Sequence, residues 1–299
     1  MRRWIKALAW GLLLCGLVVF VLLPLGIVMV MTRAGTRGMD RRLTETPATW
    51  GAPYEDVRFP STDGLELSGW YLPARQRRVC VILCHGRFRS RREVLRQAVD
   101  LWRNGYSALL FDFRHHGESQ RQASTFGWDE RKDIEGAVRF LRETRKTGER
   151  VAVYGVSMGA AATLLAAAET PAVEAVIVDS VFRSFRDTVA HHARLFMRLP
   201  PWMVTGGIFF WSRALTGADL RAVDLEAAVQ RMESRPILFI AGAADRRMPP
   251  AITVSLFEQS SGPHKALLIV PGAAHGHAYQ TDPQQYMVAL LSFLERAFQ

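Results

Sequence analysis

The stretch that most constrains this chain is residues 150–168, "RVAVYGVSMGAAATLLAAA". Its first part is a β-branched apolar run, as in a buried strand, and its second part is a small-residue helix-forming run. Between them the chain must turn from strand to helix within a few residues, with Ser157 at the apex. Gly155 and Gly159 leave room for strand and helix to approach, and the alanines let the helix lie close on a sheet. A serine on such a strained Gly-x-Ser-x-Gly turn presents its hydroxyl outward. The plain alternative is a glycine-flanked serine in an ordinary strand–helix turn. What separates the two is whether the rest of the chain supplies a base and an acid to orient it.

From residue 54 onward, short apolar runs alternate with helical patterns, which predicts a mostly parallel, doubly wound α/β sheet covered by helices. Two alternating stretches around Asp63-Gly64 predict a hairpin. "RVCVILCHG", "YSALLFDFR", "VEAVIVDS", "RPILFIAG" and "HKALLIVPG" are the remaining strands. Ser90 and Glu93, in capping-box spacing, open a helix that Gly105 stops. Residues 283–298 form a terminal amphipathic helix, with Asp282 as its cap. The segment from about 181 to 235 is too long for one crossover. With its "LPP" and "TGG" interruptions and Trp202, Phe209, Phe210 and Trp211, it reads as an inserted helical cap whose aromatic residues line a substrate cleft, dip into lipid or pack on the core.

Serine hydroxyl is a weak nucleophile near neutral pH and needs a base, itself held by a carboxylate. In a doubly wound sheet such groups gather beyond the carboxyl ends of strands. Asp245 follows "PILFIAG" and His275 follows "ALLIVPG", so both fall on the rim that carries Ser157. His277 is a rival base, Asp179 a rival acid behind a strand, and Asp219 and Asp224 weaker rivals within the cap. The oxyanion donors are expected to be the backbone N–H of Met158, at the head of the elbow helix, and that of Arg87 in "HGRFRS". His85, His115 and His116 are expected to serve their own loops, and His191 and His192 to face solvent or substrate from the cap. No metal-ligand spacing recurs, and no cofactor is expected.

The amino terminus carries an uncharged run of 26 residues between Lys6 and Arg33. As a helix it would be about 39 Å long, against roughly 30 Å of bilayer hydrocarbon. The length and the lack of a small-residue cleavage site favour a retained single-pass membrane anchor over a signal peptide. The expected organisation is an anchor over 1–32, a polar juxtamembrane linker over 33–53 held extended by Pro47 and Pro53, and a catalytic domain over 54–299. Basic residues flank both ends of the span, so the positive-inside rule leaves the side of the domain open. The net charge of +10 comes mostly from scattered arginines, without a nucleic-acid-binding motif, and nucleic acid is not expected as a partner. The three cysteines, Cys15 in the apolar segment and Cys80 and Cys84 in an expected buried strand, suggest small hydrophobes and not a disulfide scaffold.

Taken in order, "DGLELSGWYLP", "LCHG", "DFRHHGES", "GVSMG", "GAADRRMP" and "GAAHGHAY" resemble the successive motifs of the α/β-hydrolase superfamily over about residues 54–299. Within it the chain is most similar to a membrane-anchored, serine aminopeptidase-like subgroup that includes relatives of protein depalmitoylases, with which it shares H-x-x-x-Y at His275 and Tyr279. The resemblance implies an α/β-hydrolase fold and cofactor-free hydrolysis of an ester, thioester or amide through an acyl-enzyme. The apolar cap and the anchor point within that range to a lipophilic ester or thioester. The competing expectations are a peptidase or amidase, and a non-catalytic binding module. Two positions depart from the pattern: His115 stands where a turn glycine is usual, and Arg87 where a small polar residue is usual.

Overall fold

A computed structural model describes residues 2–74, 76–146, 149–232, 235–262 and 264–299. The expected cap segment is therefore described except for residues 233 and 234. Eight strands form one sheet: β1 (Glu55–Pro60), β2 (Glu66–Leu72), β3 (Val79–Cys84), β4 (Ser107–Phe111), β5 (Arg150–Val156), β6 (Ala175–Asp179), β7 (Ile237–Gly242) and β8 (Lys265–Val270). Their spatial order is β1-β2-β4-β3-β5-β6-β7-β8. β1 and β2 pair antiparallel through the Asp63-Gly64 turn, and β2 meets β4 antiparallel; every later pairing is parallel.

Because side chains alternate across a strand, each strand feeds two apolar layers. Ile82, Leu109, Val153, Val176 and Phe239 point to one face, and Val81, Leu110, Tyr154, Ile177 and Leu238 to the other. Helices cover both. In chain order the α-helices are α1 (Arg2–Leu17), α2 (Leu23–Arg33), α3 (Gly38–Arg41), α4 (Leu95–Arg103), α5 (Glu130–Arg139), α6 (Met158–Glu169), α7 (Phe185–His192), α8 (Trp202–Thr216), α9 (Leu225–Gln230), α10 (Pro250–Gln259), α11 (Ala278–Thr281) and α12 (Pro283–Ala297). α4 and α12 pack on one face; α5, α6, α9 and α10 pack on the other. α7, α8 and α9 fill the long excursion between β6 and β7.

Three local readings need revision. The Ser90–Glu93 pair does not make a reciprocal capping box. Ser90 has no side-chain cap bond, and residues 91–94 form a 3₁₀ turn ahead of α4. Glu93 is drawn elsewhere, as described below. Residues 33–53 are likewise not an extended tether: α3 and a 3₁₀ turn over Pro47–Trp50 fold onto the domain, and Thr36 and Asp40 are buried. Proline at the first position of a helical turn costs no hydrogen bond, so Pro47 starts that turn instead of preventing it. The amino-terminal apolar run is helical from Arg2 to Arg33 with one wide turn over Val18–Leu22, and it divides in two. α1 has no buried residue, whereas Pro24, Val28 and Thr32 of α2 are buried against the domain.

Candidate active site

At the end of β5, Ser157 has φ +54° and ψ −113°, in the positive-φ region that side chains rarely adopt. The flanking glycines explain how the turn is tolerated. A Cβ on Gly155 would lie 2.3 Å from the Gly159 carbonyl oxygen, and one on Gly159 would lie 2.5 Å from that of Cys84. Strand and helix are thus as close as their backbones allow.

His275 lies in the loop after β8, and its Nε2 is 2.9 Å from Ser157 Oγ. Its Nδ1 donates to Asp245 Oδ2 at 2.7 Å. Asp245, in the loop after β7, is buried, and its other oxygen accepts the N–H groups of Arg247 and Met248, each at 2.8 Å. Those two bonds fix the carboxylate plane, so the acid holds its own loop as well as the imidazole. Together they leave Nε2 as the acceptor facing the serine hydroxyl.

The rivals are placed differently. His277 is exposed two residues further on, at the start of α11. Asp219 and Asp224 cap short helices of the cap, through the N–H groups of Arg221 and Ala227. Asp179 is buried at the end of β6, where its carboxylate accepts Ser180 Oγ at 2.8 Å and Tyr286 OH at 3.0 Å. Burial is the main cause that pushes the Asp179 carboxyl up to about 6. A raised acid holds its proton more tightly in the folded chain than in the unfolded one, where a carboxyl titrates near 3.9. Its contribution to stability is therefore full below about pH 4 and is lost as pH rises toward 6, on the order of 3 kcal/mol. Asp179→Asn should thus gain stability over the parent chain between pH 4.5 and 7.5. Urea midpoints of the two chains at both pH values check this, and an equal difference at both would contradict it.

The loop after β3 packs over the serine, with a Cβ on Gly86 falling 3.5 Å from Ser157 Cβ. Arg87 N–H has no acceptor among the described residues, and Met158 N–H, at the first turn of α6, has no helical one. Arg87 and Met158 line the same cavity as Ser157. Sequence reasoning missed what holds this loop. Glu93, drawn out of its expected capping role, accepts Gly86 N–H at 2.6 Å and Arg89 Nε at 2.8 Å. Burial holds its carboxyl above the usual range. His85 is wholly buried, donates from Nδ1 to Gly86 O at 2.7 Å and accepts Phe113 N–H at Nε2. Burial lowers its affinity for a proton, which keeps it a neutral brace. His116 accepts Arg87 Nη1 at 2.8 Å. The Arg87 guanidinium sits 4.3 Å over the Phe88 ring, with Nε and Nη2 lacking partners among the described residues, and burial lowers its pKa to about 10.

A cavity of about 330 Å³ opens beside Ser157, walled by Phe126, Phe185, Val189, Ile208 and Met248 among others. A smaller, more polar one of about 130 Å³ adjoins it on the His275 side, with Arg37, Arg89, Arg247 and His277 on its wall. None of the four cap aromatics lines the larger cavity. α8 turns Ile208 and Ser212 toward it, one helical turn apart. Phe209 is buried with its ring 5.7 Å from that of Phe185, and Trp211 packs at the core margin. Trp202 and Phe210 are 71% and 62% exposed. Of the cap histidines, His192 borders the cavity, and burial lowers its pKa to about 4; His191 Nε2 bonds Arg246 O.

Among known proteins, the family described as serine aminopeptidase, S33, matches residues 75–209. The Bacillus subtilis protein YqkD is 27% identical over 239 residues, 79% of this chain and 78% of its own length. The Arabidopsis thaliana protein WAV2, an α/β-hydrolase domain-containing protein, is 25% identical over 87% of this chain and 84% of its own. An esterase of Pyrococcus furiosus superposes with a TM-score of 0.73 at 24% identity, covering 90% of this chain and 98% of that one. At that identity the superposition establishes the fold.

Proposed function

We propose that the chain is a member of the α/β-hydrolase superfamily and a membrane-tethered serine hydrolase that cleaves a lipophilic carboxylic ester or thioester. Ser157 Oγ attacks the acyl carbon while His275 Nε2 takes its proton, and Asp245 stabilises the resulting imidazolium. The N–H groups of Met158 and Arg87 receive the oxyanion. The intermediate collapses to an acyl-enzyme as His275 returns the proton to the leaving alcohol or thiol. Water, deprotonated by the same imidazole, then releases the acid and restores the serine. The single observation that carries this reading is the 2.9 Å approach of His275 Nε2 to Ser157 Oγ with Asp245 behind it. The apolar cavity beside the hydroxyl supports a lipophilic acyl group. The exposed apolar helix α1 supports membrane attachment.

A fluorophosphonate probe is expected to label the detergent-solubilised parent chain at Ser157, and to leave Ser157→Ala unlabelled. A folded parent chain that takes no label would sink the proposal. The matched family's description, serine aminopeptidase, supports an amidase as the second reading. Turnover of aminoacyl amides above that of matched acyl esters would favour it.

A further inference from the structure

The larger cavity has a wall that belongs to neither the sheet nor the cap. Ile27, Val28 and Met31 of α2 line it together with Ser157. These positions recur at helical spacing, so one face of α2 looks into the cavity. Val28 is 2% exposed, while Val30, on the other side of the same helix, is 58% exposed.

α2 is seated there by close packing and by hydrogen bonds. A Cβ on Gly207 of α8 would fall 2.7 Å from Pro24 Cγ, so the two helices approach as near as a glycine permits. One turn earlier, the Phe20 ring stacks on Trp202 at 5.9 Å. At the other end the backbone is tied to the site's own loops. Ser124 N–H donates to Thr32 O at 3.0 Å, and His115 Nε2 donates to Arg33 O at 2.7 Å. Thr36 Oγ1 donates to Arg89 O at 2.8 Å, and Arg37 N–H donates to Phe88 O at 2.9 Å. The last two bonds reach the loop that carries the Arg87 N–H. His115, the departure from the usual turn glycine, is thereby explained as a latch for the helix end.

The segment with no buried residue, α1 (Arg2–Leu17), is about 24 Å long at 1.5 Å per residue. The apolar run therefore extends from the domain at one end and enters the fold at the other. We propose that α2 is the acyl-selecting wall of the substrate site, with Val28, Met31 and Ile27 setting the chain length accepted beside Ser157. The inference rests on the hydrolase reading, and it gives the amino-terminal helix a role in specificity in addition to attachment.

The test is the second-order rate of Ser157 labelling by butyl- and dodecylsulfonyl fluorides, run on the full chain in detergent. Val28→Phe is expected to fill the cavity and lower the dodecyl-to-butyl ratio by about tenfold or more. Val28→Ala is expected to raise it. Val30→Phe, the same enlargement on the outward side, is expected to leave the ratio at the parent value. If Val28→Phe does not label at all, Val28→Ala and Met31→Ala decide. Ratios that stay at the parent value in chains that do label would overturn the inference while leaving the hydrolase reading intact. A parent chain that resists every such probe would instead overturn the hydrolase reading, a distinct result.

Discussion

His275→Ala is expected to lower kcat for a lipophilic ester by about 10⁴-fold or more, with Ser157→Ala as severe, while His277→Ala stays within roughly threefold of the parent chain. The contrast follows from geometry. Among the described residues, only the ring of His275 touches both partners, 2.9 Å from Ser157 Oγ and 2.7 Å from Asp245 Oδ2. The ring of 277 is exposed, and it reaches neither group among the described residues. Nucleophile and base act as a unit, so the double variant Ser157→Ala/His275→Ala should be little worse than either single one. A dead His277→Ala enzyme beside an active His275→Ala enzyme would reverse the assignment of the base. Steady-state rates on a chromogenic acyl ester, with thermal melts to exclude unfolding, decide it.

Gly159→Ala is expected to cost on the order of 3 kcal/mol, lowering Tm by roughly 5–10 °C. A single methyl has so large an effect because of what it meets: the carbonyl oxygens of Cys84 at 2.5 Å and His85 at 2.7 Å. Both are backbone atoms at the end of β3, and neither can rotate away as a side chain would. Relief requires α6 to move off the sheet, and Ser157 would move with it. Gly206→Ala is the matched control, since a Cβ there meets nothing within 4 Å. In that helical setting alanine should be neutral or stabilising by up to about 1 kcal/mol. Thermal melts of the two variants in the same detergent give the comparison. Equal Tm values would mean that strand and helix are not in the tight contact described.

Much of the frame was legible in the residues. The strand runs, the Asp63-Gly64 hairpin, the elbow around Ser157 and the order serine, acid, histidine depend on local pattern and on the sides of the sheet that strand ends define. Asp245 and His275 could be singled out because a parallel sheet puts every loop after a strand on one rim. Less legible was anything that depends on which way a helix face turns. The cap aromatics read as a set, yet Phe209 is buried, Trp202 and Phe210 face outward, and Ile208 with Ser212 borders the cavity. Helix α8 is apolar around most of its circumference, and such a helix carries no mark of which side will meet the core.

The same limit applies to the amino-terminal run and to Glu93. Composition by itself determined that residues 7–32 would be an uncharged apolar helix of membrane-spanning length, and that glycine was required on both sides of Ser157. The tertiary structure alone decided that the helix's last turns line the cavity beside Ser157, and that Glu93 braces the loop over the serine instead of capping its own helix. The physical reason is that turn geometry and hydrophobic length are properties of neighbours in the chain. The partner of a helix face or of a buried carboxylate is chosen among groups that only folding brings together.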